Sequence, residues 1–364
     1  MANQNIRTPK FFPDLISYHR ARGVSVGAVT ATDTGTYFVG LPSDKTVADL
    51  LDLKPLNIVT FDTSADPDGH VLCTFNFSTA SFKQNYIAIL NHNLATAVGK
   101  IRIFAGNLST DHTAIDGANI DITSPDTDAE WNNITSTEVI NADTITNASD
   151  NKSVVIEPAT DGTTIIKFDE QDLRYWSIQF EGNTTNTGNA TNGTWGSTDL
   201  TVGGIMIGEA YEMVQSPDLS LTRSIVYDKV KIQESVGGQR YSSATSFGRT
   251  ATTTTKSPFS LGTYPYTTYG GRITYDLNFS YLNSSDLLPL ETYNYIYTDD
   301  TVISDIWNMV DGPSRPFIFC IDKDTAANGG ESDFMFARFS QNALTMVQVA
   351  PDTYNVNMKI EEEF

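Results

Sequence analysis

Residues 272–282, RITYDLNFSYL, constrain this chain more than any other stretch. Ile273, Tyr275, Leu277, Phe279 and Tyr281 alternate with Arg272, Thr274, Asp276, Asn278 and Ser280. A strict period of two puts the first set on one side of an extended strand and the second on the other. One side is apolar and aromatic and the other is polar, so the strand belongs to an antiparallel sheet with one wet face. Similar runs recur along the chain: HVLCTFNF, YIAIL, KIRIFAG, TTIIKF, LRYWSIQF, GGIMIG, RPFIFCID, DFMFARF and TYNVNMKIEEE. Long helical patterns are missing. The expected class is all-β, with few short helices.

A chain of 364 residues that is 40% hydrophobic can fill two cores. Three segments are expected: an N-terminal arm over 1–45, a β-sandwich over 46–212, and a second antiparallel β-domain, barrel or sandwich, over 213–364. The arm holds Arg7, Lys10, Arg20 and Arg22 together with two prolines, Pro9 and Pro13, and contacts beyond its own domain are expected of it. The Thr/Asn/Asp/Gly-rich stretches 107–160 and 181–200 read as long surface loops, and 236–271 as a long excursion. TVADLLDL (46–53) reads as a helical turn. Val302, Ile306, Met309 and Val310 recur at helical spacing and mark the best helix.

The net charge is −21, with 44 acidic residues against 23 basic. A nucleic-acid duplex or an anionic membrane would be repelled by most of such a surface, so neither is expected as a partner. No stretch reaches the roughly 18 apolar residues that span a bilayer. The first residues lack a secretory signal pattern, so synthesis in a cytoplasm without export is expected. Cys73 and Cys320 each lie in an apolar strand-like run and are expected as buried free thiols.

Catalytic motifs are scarce. The four histidines, His19, His70, His92 and His112, form no metal-ligand pair at helical spacing, and no nucleophile motif accompanies them. His92, in ILNHNLA, ends a strand; with no partner motif nearby, a hydrogen-bonded structural role is the preferred reading. Asp62, Asp66 and Asp68 in FDTSADPDGH could hold Ca²⁺ through hard oxygen ligands, although an Asx-rich turn explains them without a metal. No cofactor is expected. Trp195 (NGTWGS) and Tyr264, Tyr266 and Tyr269 (TYPYTTYGG) sit in glycine-containing loops. They are candidates for a contact surface toward protein or sugar rings; covering a core edge is the alternative. An enzyme is not expected.

Two segments of the first domain resemble a known family. NYIAILNHNLATAVGKIRIFAG is similar to the strand–Asn/His-Asn turn–strand segment of many tailed-bacteriophage virion proteins. LRYWSIQF with LTVGGIMIG resembles its later partner, and together they resemble the galactose-binding-like (discoidin-like) β-sandwich. The later run GGRITYDLNFSYLNSSDL, RPFIFCID, DFMFARF and TYNVNMKIEEE is similar to the remainder of baseplate and distal tail proteins. The resemblance implies a structural subunit at the tail tip, forming a homo-oligomeric ring with six copies as a candidate number, in contact with other tail or baseplate proteins. The alternatives it leaves open are a carbohydrate-binding adhesion protein of the virion that takes a host glycan, and a capsid or head-to-tail component. A glycan-cleaving enzyme would further need two carboxylates in a cleft at defined separation.

Overall fold

The computed structural model describes residues 8–29, 38–65, 69–77, 83–107, 134–147, 153–185, 193–226, 231–243, 272–288, 303–321 and 334–363. The protein is all-β, built from several antiparallel sheets with short helices. Its described residues fall into two compact units: residues 12–210, and residues 8–11 together with 211–321 and 334–363. The chain passes from one unit to the other at residues 210–211.

The first unit is a β-sandwich. One four-stranded sheet runs Gly204–Gly208, Gln84–His92, Gly162–Gln171, Ser136–Ile140. A six-stranded sheet runs Ala28–Val29, Val71–Asn76, Tyr175–Gly182, Gly99–Gly106, Val154–Glu157, Thr144–Asn147. Phe168 of the first sheet meets Trp176 of the second, ring centroids 5.0 Å apart. Period-two alternation builds the inner face of the six-stranded sheet in rows. Phe75, Trp176 and Ala105 are aligned across three strands, as are Cys73, Ile178, Ile103 and Val154, and Val71, Phe180, Ile101 and Ile156. All of these are buried.

Two expectations change here. Among its described residues the stretch 107–160 contains three strands, Ser136–Ile140, Thr144–Asn147 and Val154–Glu157. Only Val154 and Ile156 of the last are fully apolar and buried on the core side, so the apolar signal is too short to stand out from the threonines and asparagines around it. The described part of segment 1–45 is not a free arm. Lys10–Phe12 pairs with Tyr211–Glu212, and Leu15–Ala21 is a helix with Leu15, Ile16 and Tyr18 buried. Asp14 caps that helix, its carboxylate accepting from the backbone N–H groups of Ile16 and Ser17. Pro13 is followed directly by this cap, so the proline marks the approach to a helix rather than preventing one.

The second unit carries an eight-stranded sheet in the order Tyr211–Glu212, Lys10–Phe12, Phe317–Cys320, Phe334–Phe339, Thr353–Glu362, Arg272–Asn283, Thr222–Val226, with Met346–Ala350 also paired to Thr353–Glu362. Its core joins Tyr275, Leu277 and Phe279 to Ile360, Met358 and Val356, which lie directly opposite them. Phe11 enters the same cluster, 5.3 Å from Phe319 and 5.7 Å from Phe317. The helix Ile303–Met309 contributes Ile306, as the sequence spacing predicts, and Ile303, which that spacing does not include; Val310 just beyond it joins the same cluster, and Val302 lies outside the described residues.

The opening strand holds its alternation through Phe279 and then departs from it. Tyr281 has φ of 62° and the register with Thr353–Glu362 shifts between Phe279 and Leu282. Such a bulge inserts a residue and reverses the facing of everything after it. Tyr281, expected on the buried side, is 74% exposed, and Leu282 is buried in its place.

Cys73 and Cys320 are not joined in a disulfide, and both are buried, in different units. Burial pushes the Cys73 thiol up to about 12, so neither supply of thiolate nor access favours reaction. Labelling of the native protein with a maleimide should be slow at both positions and become fast in denaturant. Rapid native labelling of either would contradict the packing of its strand.

Candidate functional site

His92 is held by a structural network. Its Nδ1 accepts from the Leu94 N–H at 3.3 Å, which leaves Nε2–H to donate to Thr164 Oγ1 at 2.8 Å. Burial holds its imidazole down at about 4, so it is neutral. Its neighbours act in the same way on other segments. Asn91 donates to the Pro55 carbonyl at 2.8 Å, and Asn93 donates to the Asp199 carbonyl while accepting from Thr201 N–H at 2.7 Å. The Asn-His-Asn run thus pins three separate stretches to the end of strand Gln84–His92.

Of the other residues singled out in the sequence, Asp62 and Trp195 are among the described residues. Asp62 is an exposed carboxylate directly after strand Val59–Phe61. Asp66, Asp68, Tyr264, Tyr266 and Tyr269 lie outside the described residues. Trp195 is not a contact residue: it is 4% exposed, packs against Gly99, and donates its indole N–H to the Gly69 carbonyl at 2.6 Å. A Cβ on Gly99 would collide with that ring, so the glycine is what lets the indole close down on the sheet. Among the described residues no group of three or more His, Cys, Asp or Glu side chains could hold a metal ion.

The most unusual chemistry lies on the outer face of the six-stranded sheet, the side turned away from the sandwich interior. Ser177, Gln179 and Glu181 alternate with the core residues of their strand, and Lys100, Arg102 and Phe104 do the same next to them. Lys100 stands opposite Glu181, Arg102 opposite Gln179, and Phe104 opposite Ser177. Glu181 Oε1 accepts from both Arg102 Nη2, at 3.1 Å, and Lys100 Nζ, at 3.4 Å. Arg102 also donates to Ser153 Oγ at 3.3 Å. Gln179 and Ser177 are 0% exposed, Glu181 1% and Arg102 6%.

This polar face is closed and incompletely bonded. Both amide atoms of Gln179, Ser177 Oγ, Arg102 Nε, Glu181 Oε2 and both ring nitrogens of His70 are buried without a hydrogen-bond partner. Phe38 packs over Leu72 and Phe104, and Val39 N–H donates to the His70 carbonyl at 2.7 Å. The run LRYWSIQF marks a strand, and its polar alternate residues suggest a wet face. Among the described residues, Phe38 lies over that strand's neighbours Leu72 and Phe104 from far away in the chain, and no local pattern announces it.

The second unit offers a different kind of surface. Thr222–Val226 is the last strand of the eight-stranded sheet, with Ile225 and Val226 exposed. Lys231–Glu234 and Arg240–Ser243 form a two-stranded ribbon whose Ile232 and Tyr241 are 67% and 56% exposed. Val347 and Val349 are also exposed, on the Met346–Ala350 strand. No protein-family model matches this chain, and no curated protein matches it in sequence.

Proposed function

We propose that the protein is a structural subunit of a tailed-phage virion, a ring-forming distal-tail or baseplate component whose second unit assembles with further copies of the chain. The observation that carries this reading is the ribbon 231–243 with the strand Thr222–Val226. A two-stranded ribbon exposed on both faces is at best marginally stable in water, and an uncovered edge strand with β-branched residues is a template for pairing. Covering both removes exposed Ile225, Val226, Ile232 and Tyr241 from water.

A second copy is the occupant that charge favours. The described residues of this surface carry Arg223, Lys231 and Arg240 against Glu234 alone, while the whole chain carries −21. A locally basic surface on an acidic protein is attracted to the body of its own neighbours. The contact joins two different patches, so it is heterologous, the kind of contact that builds a ring when its rotation closes. The sandwich unit, in its resemblance to galactose-binding-like domains, would be the part that meets other virion proteins. Among the described residues no helix is long and apolar enough to cross a membrane.

Native mass spectrometry of the purified protein across a concentration series tests this reading. A defined oligomer is expected, and Ile232→Asp should lower its stability by tenfold or more without altering the circular dichroism, since Ile232 is exposed in the single chain. A wild-type protein that remains a monomer at high concentration would overturn the reading. Binding of the monomer to a glycan array, lost on substitution of aromatic residues, would favour the adhesion role instead.

A further inference from the structure

The backbone at His70 is the joint of two covering segments. On one side its carbonyl accepts from Val39 N–H, and Phe38 forms a parallel bridge with it. On the other side the Gly69 carbonyl accepts from the Trp195 indole. The His70 side chain is 1% exposed and neither ring nitrogen is hydrogen-bonded.

Among the described residues, the charged groups around this imidazole come from two strands. Arg102 and Lys100, on Gly99–Gly106, both act on it. Glu181, on Tyr175–Gly182, is already engaged by those same two cations. Phe38, Val39 and Trp195 add no ionisable group. A proton on His70 would therefore place a third cation beside two that share one carboxylate, in a site closed to water.

The covered face also gains when it opens. Its orphaned atoms, on Gln179, Ser177, Arg102, Glu181 and His70, would all be hydrated. A buried polar group without a partner is destabilising, so the apolar contact of Phe38 with Leu72 and Phe104 is opposed by the surface beneath it.

We propose that the segment carrying Phe38 and Val39 is an acid-released strap over the outer face of the six-stranded sheet, with protonation of His70 as its trigger. At neutral pH the strap is shut, because burial first, and Arg102 and Lys100 next, hold the imidazole down at about 4. An opened strap returns the imidazole to its ordinary value near 6.5 and exposes a polar surface of Arg, Lys, Glu, Gln and Ser side chains.

Hydrogen exchange of the full chain, read by mass spectrometry and corrected for intrinsic rates, tests this. The peptide carrying Val39 should exchange roughly 30-fold faster at pH 5 than at pH 7.5, from the linkage between those two imidazole states. The peptide of strand Gln84–His92 should remain protected throughout. In His70→Gln the acceleration should vanish, and in Lys100→Met, which removes one repelling cation, it should shrink. Equal acceleration in wild type and His70→Gln would overturn the proposal. So would simultaneous loss of protection in both peptides of the wild type, which is global unfolding. If His70→Gln fails to fold, Lys100→Met decides in its place, and an undiminished response there overturns the proposal equally.

Discussion

Leu277→Asp should abolish folding of the second unit. Leu277 is 0% exposed, opposite Met358, in the cluster that also holds Tyr275, Phe279, Phe319 and Phe339. A carboxylate there has no partner within a wholly apolar neighbourhood. Leaving it charged, or forcing it to protonate, adds to the loss of a leucine from the core, together on the order of 5 kcal/mol or more. Domains are stable by only about 5–15 kcal/mol. Asp276→Leu, one position away, gives up a hydrogen bond from Asn357 and a 3.6 Å ion pair with Lys359, both on the partly exposed face. That loss should be about 1 kcal/mol or less. Urea unfolding followed by circular dichroism, with native mass spectrometry, separates the two. Equal tolerance of both substitutions would contradict the alternation of the strand.

Acid should destabilise the sandwich unit strongly. Burial holds His70 and His92 down at about 4 each, so unfolding at intermediate pH takes up a proton at both positions. A folded pKa below the unfolded one means that the stability is present above about 6.5 and is lost as pH falls toward 4. Asp14 opposes this: desolvation raises it to about 6, against its four hydrogen bonds, so unfolding releases one proton there. Two protons taken up against one released leaves about one net, or about 1.4 kcal/mol per pH unit, plus the part of the range in which Asp14 is already ionised. His19, also lowered, acts in the same direction as the other two histidines. Between pH 7 and pH 5 the loss should be on the order of 3 kcal/mol. Denaturant titrations at constant ionic strength, read by exchange in strand Gln84–His92, measure it. His92→Gln should remove a large part of the slope, and stability that is flat or rising toward pH 5 would refute the account.

Where each face is decided by its own strand, the sequence is a good guide. The core rows through Trp176, Ile178 and Phe180, and the Leu277 cluster, follow from period-two alternation alone. It is a poor guide where a distant segment or a single backbone angle decides. Tyr281 continues the apolar pattern perfectly, and only its positive φ reverses the facing. Ser177, Gln179 and Glu181 have the look of a wetted face, yet Phe38 lies over their neighbours Leu72 and Phe104. Trp195 sits in a glycine-rich, threonine-rich run that suggests exposure, while its burial depends on Gly99 nearly a hundred positions earlier. The basic, proline-bearing start of the chain hides Phe11, whose aromatic partners Phe317, Phe319 and Phe339 lie at the far end.

Phe11 and Tyr211 are paired residues of one sheet, and Lys10 faces Glu212 beside them. The chain therefore departs from the second unit at one rung of a ladder and returns at the same rung, with all of residues 12–210 spooled out between. The sandwich is a passenger in what would otherwise be an ordinary hairpin, and a turn of two to five residues would suffice to close the gap it leaves. Its order of emergence from the ribosome follows. The sandwich is complete while Phe11 still waits for partners about three hundred residues downstream, so the host domain can close only after its guest has been made.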